Sequence, residues 1–517
     1  MTPTRLERYA LVVAVLACAL LAWPLRAYVT DDTFIHLQYA RHLAAGDGFV
    51  FNPGERVYGS TSPLWVMLLA NAMAMGVDGL LASKWLGGLA TLASLLLWAR
   101  LVRQTIGDAR LRAASLIVWA CHAWMSRWSL SGMETPLAVA LVLGGWVAFT
   151  STTPWGARPR AAALLWALAA LTRPECTVLL LLWAALLVIE HGPLVGLRRI
   201  LGGLWPALVV EGAWLLFAFG YFGSFLPNTL AAKVAGGVGW AYHLEQWARQ
   251  AGIVGSTDAV LLLVLVVATL VLSRRGGRPA LQPATRLLPW VWLAAVPLLY
   301  SLRGVPVLSR YLVPLLPVLA WLGWRMLDRM LASPGSRLTS AALTRFVVAI
   351  ACVAIVQNVI VWQRIVRPQV ESFSAGMRAS LIPWGQWFAE HTAKDASVAA
   401  PDIGALGYYG QRRVIDLAGL VTPAMVPVLR RMPQEDATAR FAFAAFARPT
   451  FVVDRESRAW DLLARSPYAS ALIPVGQASL PNLGVARPDS AVYSFYRIDW
   501  ERYDSLVVQR GADATPR

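Results

Sequence analysis

The sequence is short of charge and of cysteine, and each shortage excludes a class of protein. Only 15% of the 517 residues are charged while 57% are hydrophobic, and the mean hydropathy is +0.53. That balance excludes a single soluble globule and marks an integral membrane protein. The four cysteines, Cys18, Cys121, Cys176 and Cys352, all lie in apolar segments, with no CxxC and none in the polar C-terminal part. Neither a disulfide framework nor a zinc site is implied. No small-residue cleavage site follows the apolar N-terminal stretch, so the first helix is expected to be retained. Internal repeats and low-complexity tracts are absent. There is also no basic face interleaved with aromatics, so the net charge of +17 does not imply nucleic acid as a partner.

Most of the arginine behind that charge falls in short clusters between hydrophobic runs, where it acts as a topology determinant. Taking about 17 to 25 apolar residues per span, about eleven are expected, at residues 9–28, 79–101, 111–129, 134–151, 160–172, 174–190, 202–220, 257–273, 287–302, 310–328 and 344–363. The run 63–76 is apolar but shorter, which fits an interfacial or re-entrant helix. If it does not cross, the clusters at Arg5/Arg8, Arg100/Arg103/Arg110/Arg112, Arg158/Arg160, Arg198/Arg199, Arg274/Arg275/Arg278/Arg286 and Arg325/Arg329/Arg337/Arg345 all fall on one side. The positive-inside rule makes that side the cytoplasm.

An odd number of spans then puts the N-terminus in the cytoplasm and everything after about residue 364 outside. Residues 1–365 are read as a polytopic helical domain, with 29–78 as its first outer loop. Residues 366–517 turn soluble in composition: β-type runs "SVAAPDIG", "RRVIDLAG", "TFVVDRES" and "AVYSFYRID" alternate with helical stretches such as "MRASLIPWGQWFAEHTA". A small extracytoplasmic α/β or α+β domain is expected.

This topology gathers unusual polar residues on the outside. They are Asp31, Asp32, His36, Arg41, Asn52, Glu55 and Arg56 of the first loop, Arg127 and Glu134, Arg173 and Glu175, Asn228 and Lys233, and Arg303 and Arg310. Ionisable groups at membrane depth usually face a cavity or pathway. A carboxylate there can take a proton from a sugar hydroxyl attacking an anomeric carbon, and nearby cations can hold a phosphate leaving group. Adjacent aspartates cannot both face one way, so one performs the chemistry while the other holds a metal or orients an acceptor. Each residue also has a structural use. Asp31 and Asp32 could cap the helix near Thr33, Arg173 and Arg310 could snorkel, Glu134 could open a helix at Thr135-Pro136, and His36 could be a bonded helix-face residue.

The stretch "TDDTFIHLQYARHLAAGDGFVFNPGERVYGSTSPLW" resembles the first periplasmic loop of GT-C type polyprenyl-phosphate-sugar-dependent glycosyltransferases. Similarity is strongest to the group containing the mycobacterial terminal arabinofuranosyltransferase B. It continues in order through "SGMETPL", "LTRPE", "LPNTLAAKV" and "SRYLVPLLP" into "DIGALGYYGQRRVIDLAGLVTP". More distantly, the layout is similar to aminoarabinose transferases and protein O-mannosyltransferases. The resemblance implies Asp31 or Asp32 as catalytic base, and a lipid-linked phosphate held near Arg310, Lys233, Arg173 and Tyr311. It further implies substrate contacts from the first-loop residues, Glu134 and Asn228, and a second juxtamembrane helix at 63–76. Its extracytoplasmic tail would help bind the acceptor, with Asp402 and Asp416 as candidates against the alternative that they cap turns around Gly404 and Gly419. The chain reads "HLQYARHL" where a more basic helix is usual, so the donor sugar stays open between arabinofuranose and another pentose or hexose.

The expectation is an inverting glycosyltransferase of the bacterial inner membrane, moving a sugar from a polyprenyl phosphate to a cell-envelope glycan, lipid or protein. A divalent ion, Mg or Mn, beside the carboxylates is compatible with hard-cation chemistry. The rival reading is a transporter or lipid flippase with an accessory outer domain, whose signature would be repeated halves with paired broken helices.

Overall fold

Local signals at helix ends explain much of the architecture. The structure, a computed structural model, describes residues 4–151, 158–229, 239–274, 284–333, 339–456, 463–480 and 490–513. Thr4 and Glu7 form a capping box that starts α1 (Arg5–Ala22). Thr30 caps α2 (Asp31–Ala45), with Thr33 bonding back to its N–H, and Gly46 closes it in the left-handed conformation. Asp31 and Asp32 therefore occupy the first turn and are not the cap. A proline opens α3 (Pro63–Ala74), which at 12 residues is too short to cross.

The chain then passes through α4 (Gly79–Thr105), α5 (Ala109–Ala120), α6 (Ala123–Ser129), α7 (Thr135–Phe149), α8 (Pro159–Ala170), α9 (Thr177–His191), α10 (Pro193–Gly203) and α11 (Trp205–Phe222). Helices Trp240–Arg274, Leu288–Leu302, Leu316–Ala332 and Ser340–Val361 follow.

Among the described residues, seven helices are long and apolar enough to cross a membrane: Arg5–Leu25, Gly79–Thr105, Pro174–His191, Trp205–Phe222, Trp240–Arg274, Ala284–Leu302 and Ser340–His391. The other four expected spans fall on shorter helices. The run 111–129 is broken at Cys121–His122, where the His122 side chain caps α6. The run 310–328 becomes Ser309–Leu312 followed by Leu316–Ala332. The helices α7 and α8, of 15 and 12 residues, run through the interior, where Val139, Val142, Leu143, Trp146 and Trp166 are fully buried. A helix wrapped in protein need not match the bilayer thickness.

Arg103, Arg110 and Arg112 of one cluster meet the starts of α1 and of Ser340–Val361 at one end of this bundle. Glu7 takes Nε of Arg112 at 2.9 Å and Nε of Arg103 at 3.5 Å. Asp328 accepts the Gly107 N–H at 2.9 Å, and Arg110 reaches Ser340 at 3.0 Å. The chain is a multi-pass membrane protein.

Ser340–Val361 continues through a π-helical turn, Trp362–Val366, into Arg367–Ala379, and Leu381–His391 follows a break at Ser380. Beyond it lies a five-stranded sheet in the order β2-β1-β3-β5-β4: β1 Ser397–Ala400, β2 Arg413–Asp416, β3 Phe451–Glu456, β4 Leu472–Leu480 and β5 Ala491–Ile498. Strands β2 and β3 pair parallel with β1, while β5 pairs antiparallel with β3 and β4. Four strands coincide with the expected runs; β4 is additional. Alternation gives the sheet two packed faces. Val398, Ala400, Val453, Tyr493 and Phe495 join the same apolar cluster as the membrane helices. Ala399, Ile415, Val452, Tyr496 and Ile498 pack a second one with Phe441 and Phe443. The C-terminal domain, which the sequence places on the outer side by expectation and which is called the outer domain for that reason, is thus seated on the helical domain.

Candidate active site

The helical period divides α2 into two working faces. Asp32, Ile35 and His36, at i, i+3 and i+4, line a small cleft with Glu134, Arg173, Arg310 and Tyr311. Asp31, Phe34 and Arg41 face the outer domain's helix Gly404–Gly410. The Asp31 carboxylate accepts the N–H groups of Gly404 and Ala405, each at 2.8 Å. Phe34 meets the rings of Tyr408 and Tyr409 at 5.8 and 5.3 Å, and Arg41 donates to the Tyr408 carbonyl at 2.7 Å. Only glycine fits at 404, since a Cβ there would stand 1.9 Å from the Asp31 carbonyl oxygen. Burial and the nearby Asp402 charge push the Asp31 carboxyl up to about 7, against the two amide bonds.

Asp32 points the other way and pairs with Arg310. Its side chain is 36% exposed, against 7% for Arg310. The Arg310 guanidinium lies 5.8 Å from the Trp128 ring and 5.3 Å from the Tyr311 ring. Trp128 is itself fixed by a 3.0 Å bond from its indole N–H to Ser309 Oγ. Deeper in the cleft, Glu134 joins His36 at 3.3 Å and Arg173 at 2.6 Å, and Arg173 also pairs with Glu175. Glu134 precedes α7 without capping it. Arg173 and Arg310 are buried in ion pairs and do not snorkel. The His36 Nδ1 is buried with no hydrogen-bond partner among the described residues.

A larger groove of about 1720 Å³ lies beyond. Asp32, Arg310 and Tyr311 line both spaces, so the Asp32–Arg310 pair stands in the wall between them. The outer domain lines this groove through Asp402, Arg455 and Tyr493. Asp402 is held by Arg455 at 2.8 Å and by the Tyr493 hydroxyl at 2.7 Å.

The remaining sequence-derived candidates are elsewhere. Asn52 clamps the edge strand β2, donating to the Val414 carbonyl at 2.9 Å and accepting its N–H at 3.0 Å. Glu55 accepts from Asn52 at 2.8 Å and from Arg413 at 2.6 Å. Arg56 is exposed over the Tyr221 ring at 4.7 Å. The Asn228 N–H donates to the Tyr58 carbonyl at 2.8 Å. Asp416 is fully buried and takes the N–H groups of Ala418, Leu420 and Val421. It clamps its own loop, the turn-capping alternative of the two expected, and lines neither the smaller cleft nor the larger groove, while its loop brings Leu420 to the smaller cleft. Lys233 lies outside the described residues.

Three contributors escaped the sequence reading. Lys84 in α4 donates to the carbonyls of Tyr28 and Leu130, tying together the approaches to Asp31 and Glu134. Its signal was a lone cation inside an apolar span. Arg455 and Tyr493 sit in strands with no such signal. Among the described residues no group of three or more His, Cys, Asp or Glu side chains converges to hold a metal ion. Asp31, Asp32 and Asp402 all line the larger groove, but Asp31 is taken by two backbone amides and the other two by Arg310 and Arg455, so these oxygens as they stand do not form a cage for a divalent ion.

Residues 369–503 match the family described as Domain of unknown function (DUF8728). The chain is 32% identical over 246 residues to the terminal beta-(1->2)-arabinofuranosyltransferase of Mycobacterium tuberculosis, a match covering 42% of this chain and 36% of that protein. The enzyme of the same name from Corynebacterium glutamicum is 31% identical over 248 residues, covering 42% and 35%. The chain therefore spans about a third of the length of these curated relatives. Among solved structures, ArnT from Cupriavidus metallidurans bound to undecaprenyl phosphate aligns over 94% of this chain and 97% of its own, with a TM-score of 0.55 and 16% identity. The Archaeoglobus fulgidus oligosaccharyltransferase tethered with an acceptor peptide aligns over 87% and 69%, with a TM-score of 0.57 and 12% identity. The arabinofuranosyltransferase AftD from Mycobacteria aligns over 96% and 42%, at 0.52 and 17%. With a polytopic helical domain, a juxtamembrane first loop and a seated mixed-sheet domain, this chain has the GT-C fold.

Proposed function

We propose that the chain is an inverting glycosyltransferase that moves one sugar from a polyprenyl monophosphate to an extracytoplasmic glycan, lipid or protein acceptor. The single observation that carries this reading is the Asp32–Arg310 pair in the wall shared by two cavities. A donor phosphate in the smaller cleft meets Arg310 and Arg173, and an acceptor hydroxyl in the larger groove meets Asp32. Asp32 takes the hydroxyl proton as the oxygen bonds to the anomeric carbon. The carbon–oxygen bond to phosphate breaks on the opposite face, its electron pair leaves on the phosphate, and the guanidinium groups stabilise that charge. One displacement inverts the anomeric configuration.

Arg310 couples the two halves of the reaction. When its charge is drawn to the incoming phosphate, Asp32 is released from the ion pair and can accept the proton. Asp31 is the latch to the outer domain, and Asp402 with Arg455 lies on the acceptor side. The arginine clusters at the far end of the bundle support a cytoplasmic N-terminus and an outer-facing site in a bacterial inner membrane. The likeness to arabinofuranosyltransferases supports arabinofuranose as the first donor to test.

The test is to incubate purified full-length protein with polyprenyl-phosphate sugars and cell-envelope glycan, and to measure released polyprenyl phosphate. Release from at least one donor, greatest with arabinofuranosyl, is expected. Release from none overturns the reading.

A further inference from the structure

Arg173 and Glu175 stand at one end of the α8–α9 pair; the opposite end carries a second set of cations. Arg158, Arg160, Arg198 and Arg199, with Trp183 and Leu187, line a cavity of about 1300 Å³. All four arginines are exposed, and no carboxylate is among the residues lining the space. The acid on α9, Glu190, is engaged by Thr285 at 2.9 Å and His191 at 3.3 Å and also feels the charge of Arg199, but it does not line the cavity. The 12 residues of α8 rise about 18 Å at the helical increment, so this cavity and the Asp32 cleft lie at opposite ends of α8.

Arg158 and Ala161 also line a second space, a groove of about 1360 Å³ between α4, α7 and α8. Leu86, Leu89, Leu97, Leu137, Leu141 and Leu165 form its walls. Arg100 and Arg158 stand at the end nearer the cation cavity. Alongside, α10 exposes Leu194, Leu197 and Leu201 at 79%, 51% and 55%, while Arg198 and Arg199 turn to the cavity. That is the division of a helix lying in a membrane interface.

We propose that these two joined spaces bind one anionic glycerophospholipid of the leaflet opposite the active site. Its headgroup phosphate sits among Arg158, Arg198 and Arg199, and an acyl chain lies in the leucine groove. Guanidinium groups supply bidentate donors to phosphate oxygens, and basic pockets at the cytoplasmic surface suit such headgroups. A free anion would use the first cavity alone; the apolar groove that shares Arg158 with it is what selects a lipid.

The test uses delipidated full-length protein titrated with phosphatidylglycerol, phosphatidylcholine or inorganic phosphate, with bound lipid counted by native mass spectrometry and thermal unfolding as second readout. Phosphatidylglycerol should bind at least about tenfold more tightly than phosphatidylcholine, and inorganic phosphate should not displace it. The double variant Arg158→Gln/Arg199→Gln should weaken binding roughly 30-fold, at about fivefold per cation, while Arg158→Lys/Arg199→Lys retains most of it. Ala93→Phe, which fills the groove with every arginine in place, should also weaken it, and Arg431→Gln on the outer domain should not. Equal binding of the two lipids, wild-type binding by the Gln variant, or displacement by inorganic phosphate would each overturn the proposal.

Discussion

Replacing Asp32 by Asn keeps the side-chain shape and removes both its charge and its capacity to take a proton. A positioned general base contributes about 10²–10⁴ in rate, or about 3–5 kcal/mol of activation free energy. The geometry adds a second, opposite effect. Arg310 would lose its carboxylate partner and meet a donor phosphate without competition. Coulomb attraction of a close pair near a surface is a few kcal/mol at most, and the 36% exposure of Asp32 screens it to about 1 kcal/mol. Donor KM should therefore hold or fall by up to about fivefold while kcat drops by two to four orders of magnitude. The assay is the initial rate of polyprenyl phosphate release at varied donor concentration, with thermal unfolding run on the same preparation. Retention of more than about a tenth of the wild-type kcat by a folded Asp32→Asn protein would refute the assignment. So would a rise in donor KM with kcat unchanged.

Arg310→Lys keeps the charge but loses the planar contact with Trp128 and Tyr311, and should lower kcat/KM at least about tenfold in the same assay. Gly404→Ala forces a methyl into the Asp31 carbonyl; it should destabilise the docked outer domain by about 2–4 kcal/mol, read as a lower Tm and faster proteolysis near residue 400, and slow transfer although Asp32 is untouched. The pH dependence of stability should carry a signature of Asp31, whose carboxyl is pushed up to about 7 by burial and Asp402 from about 3.9 in the unfolded chain. The folded state then holds the extra proton between about pH 4 and 7, so this residue's contribution to stability falls as pH rises through that window. Asp31→Asn does not titrate, and the gap between the two proteins should change by about 2 kcal/mol between pH 5 and pH 8 after allowing for solvent screening; parallel unfolding curves would sink this account.

What the sequence conveyed depended on the range of the interaction. Hydrophobic length and arginine clusters located the membrane helices, and the alternation of "AVYSFYRID" located β5, because both signals are local. The 3.6-residue period of α2 puts Asp32 and His36 on one face whatever their partners, a regularity the sequence reading did not draw on. The division of labour between Asp31 and Asp32 was not legible, because it is made by Gly404, Ala405 and Arg310, each more than 270 residues away. The break at Cys121–His122 hid inside an apolar run, since a histidine cap looks like an interior polar residue. Strand β4 was missed because Pro474 and Gly476 flank a register shift that interrupts its alternation. Asp416 was open between an acceptor-side acid and a cap of the turn around Gly419, and its carboxylate takes backbone amides within five residues, the local alternative.

Adjacent residues on a helix differ by about 100° in direction, so a doublet of aspartates at a helix start can address two bodies at once. Here one oxygen pair grips the outer domain and the next addresses the cleft. The grip is reinforced on the same loop by Asn52 on β2 and by Arg41 on Tyr408, and beneath it by one apolar cluster running from the membrane helices into the sheet. A module joined by a flexible tether could change how well an acceptor binds without moving the base. This outer domain has no such freedom, because the strands that present Arg455 and Tyr493 to the groove belong to the sheet whose neighbouring helix holds Asp31. Any displacement large enough to admit or reject an acceptor pulls on the first turn of α2, and so on the distance between Asp32 and Arg310. On the proposed function, acceptor recognition and base positioning would then be mechanically one variable, which would give the doublet a use that a single catalytic base would lack.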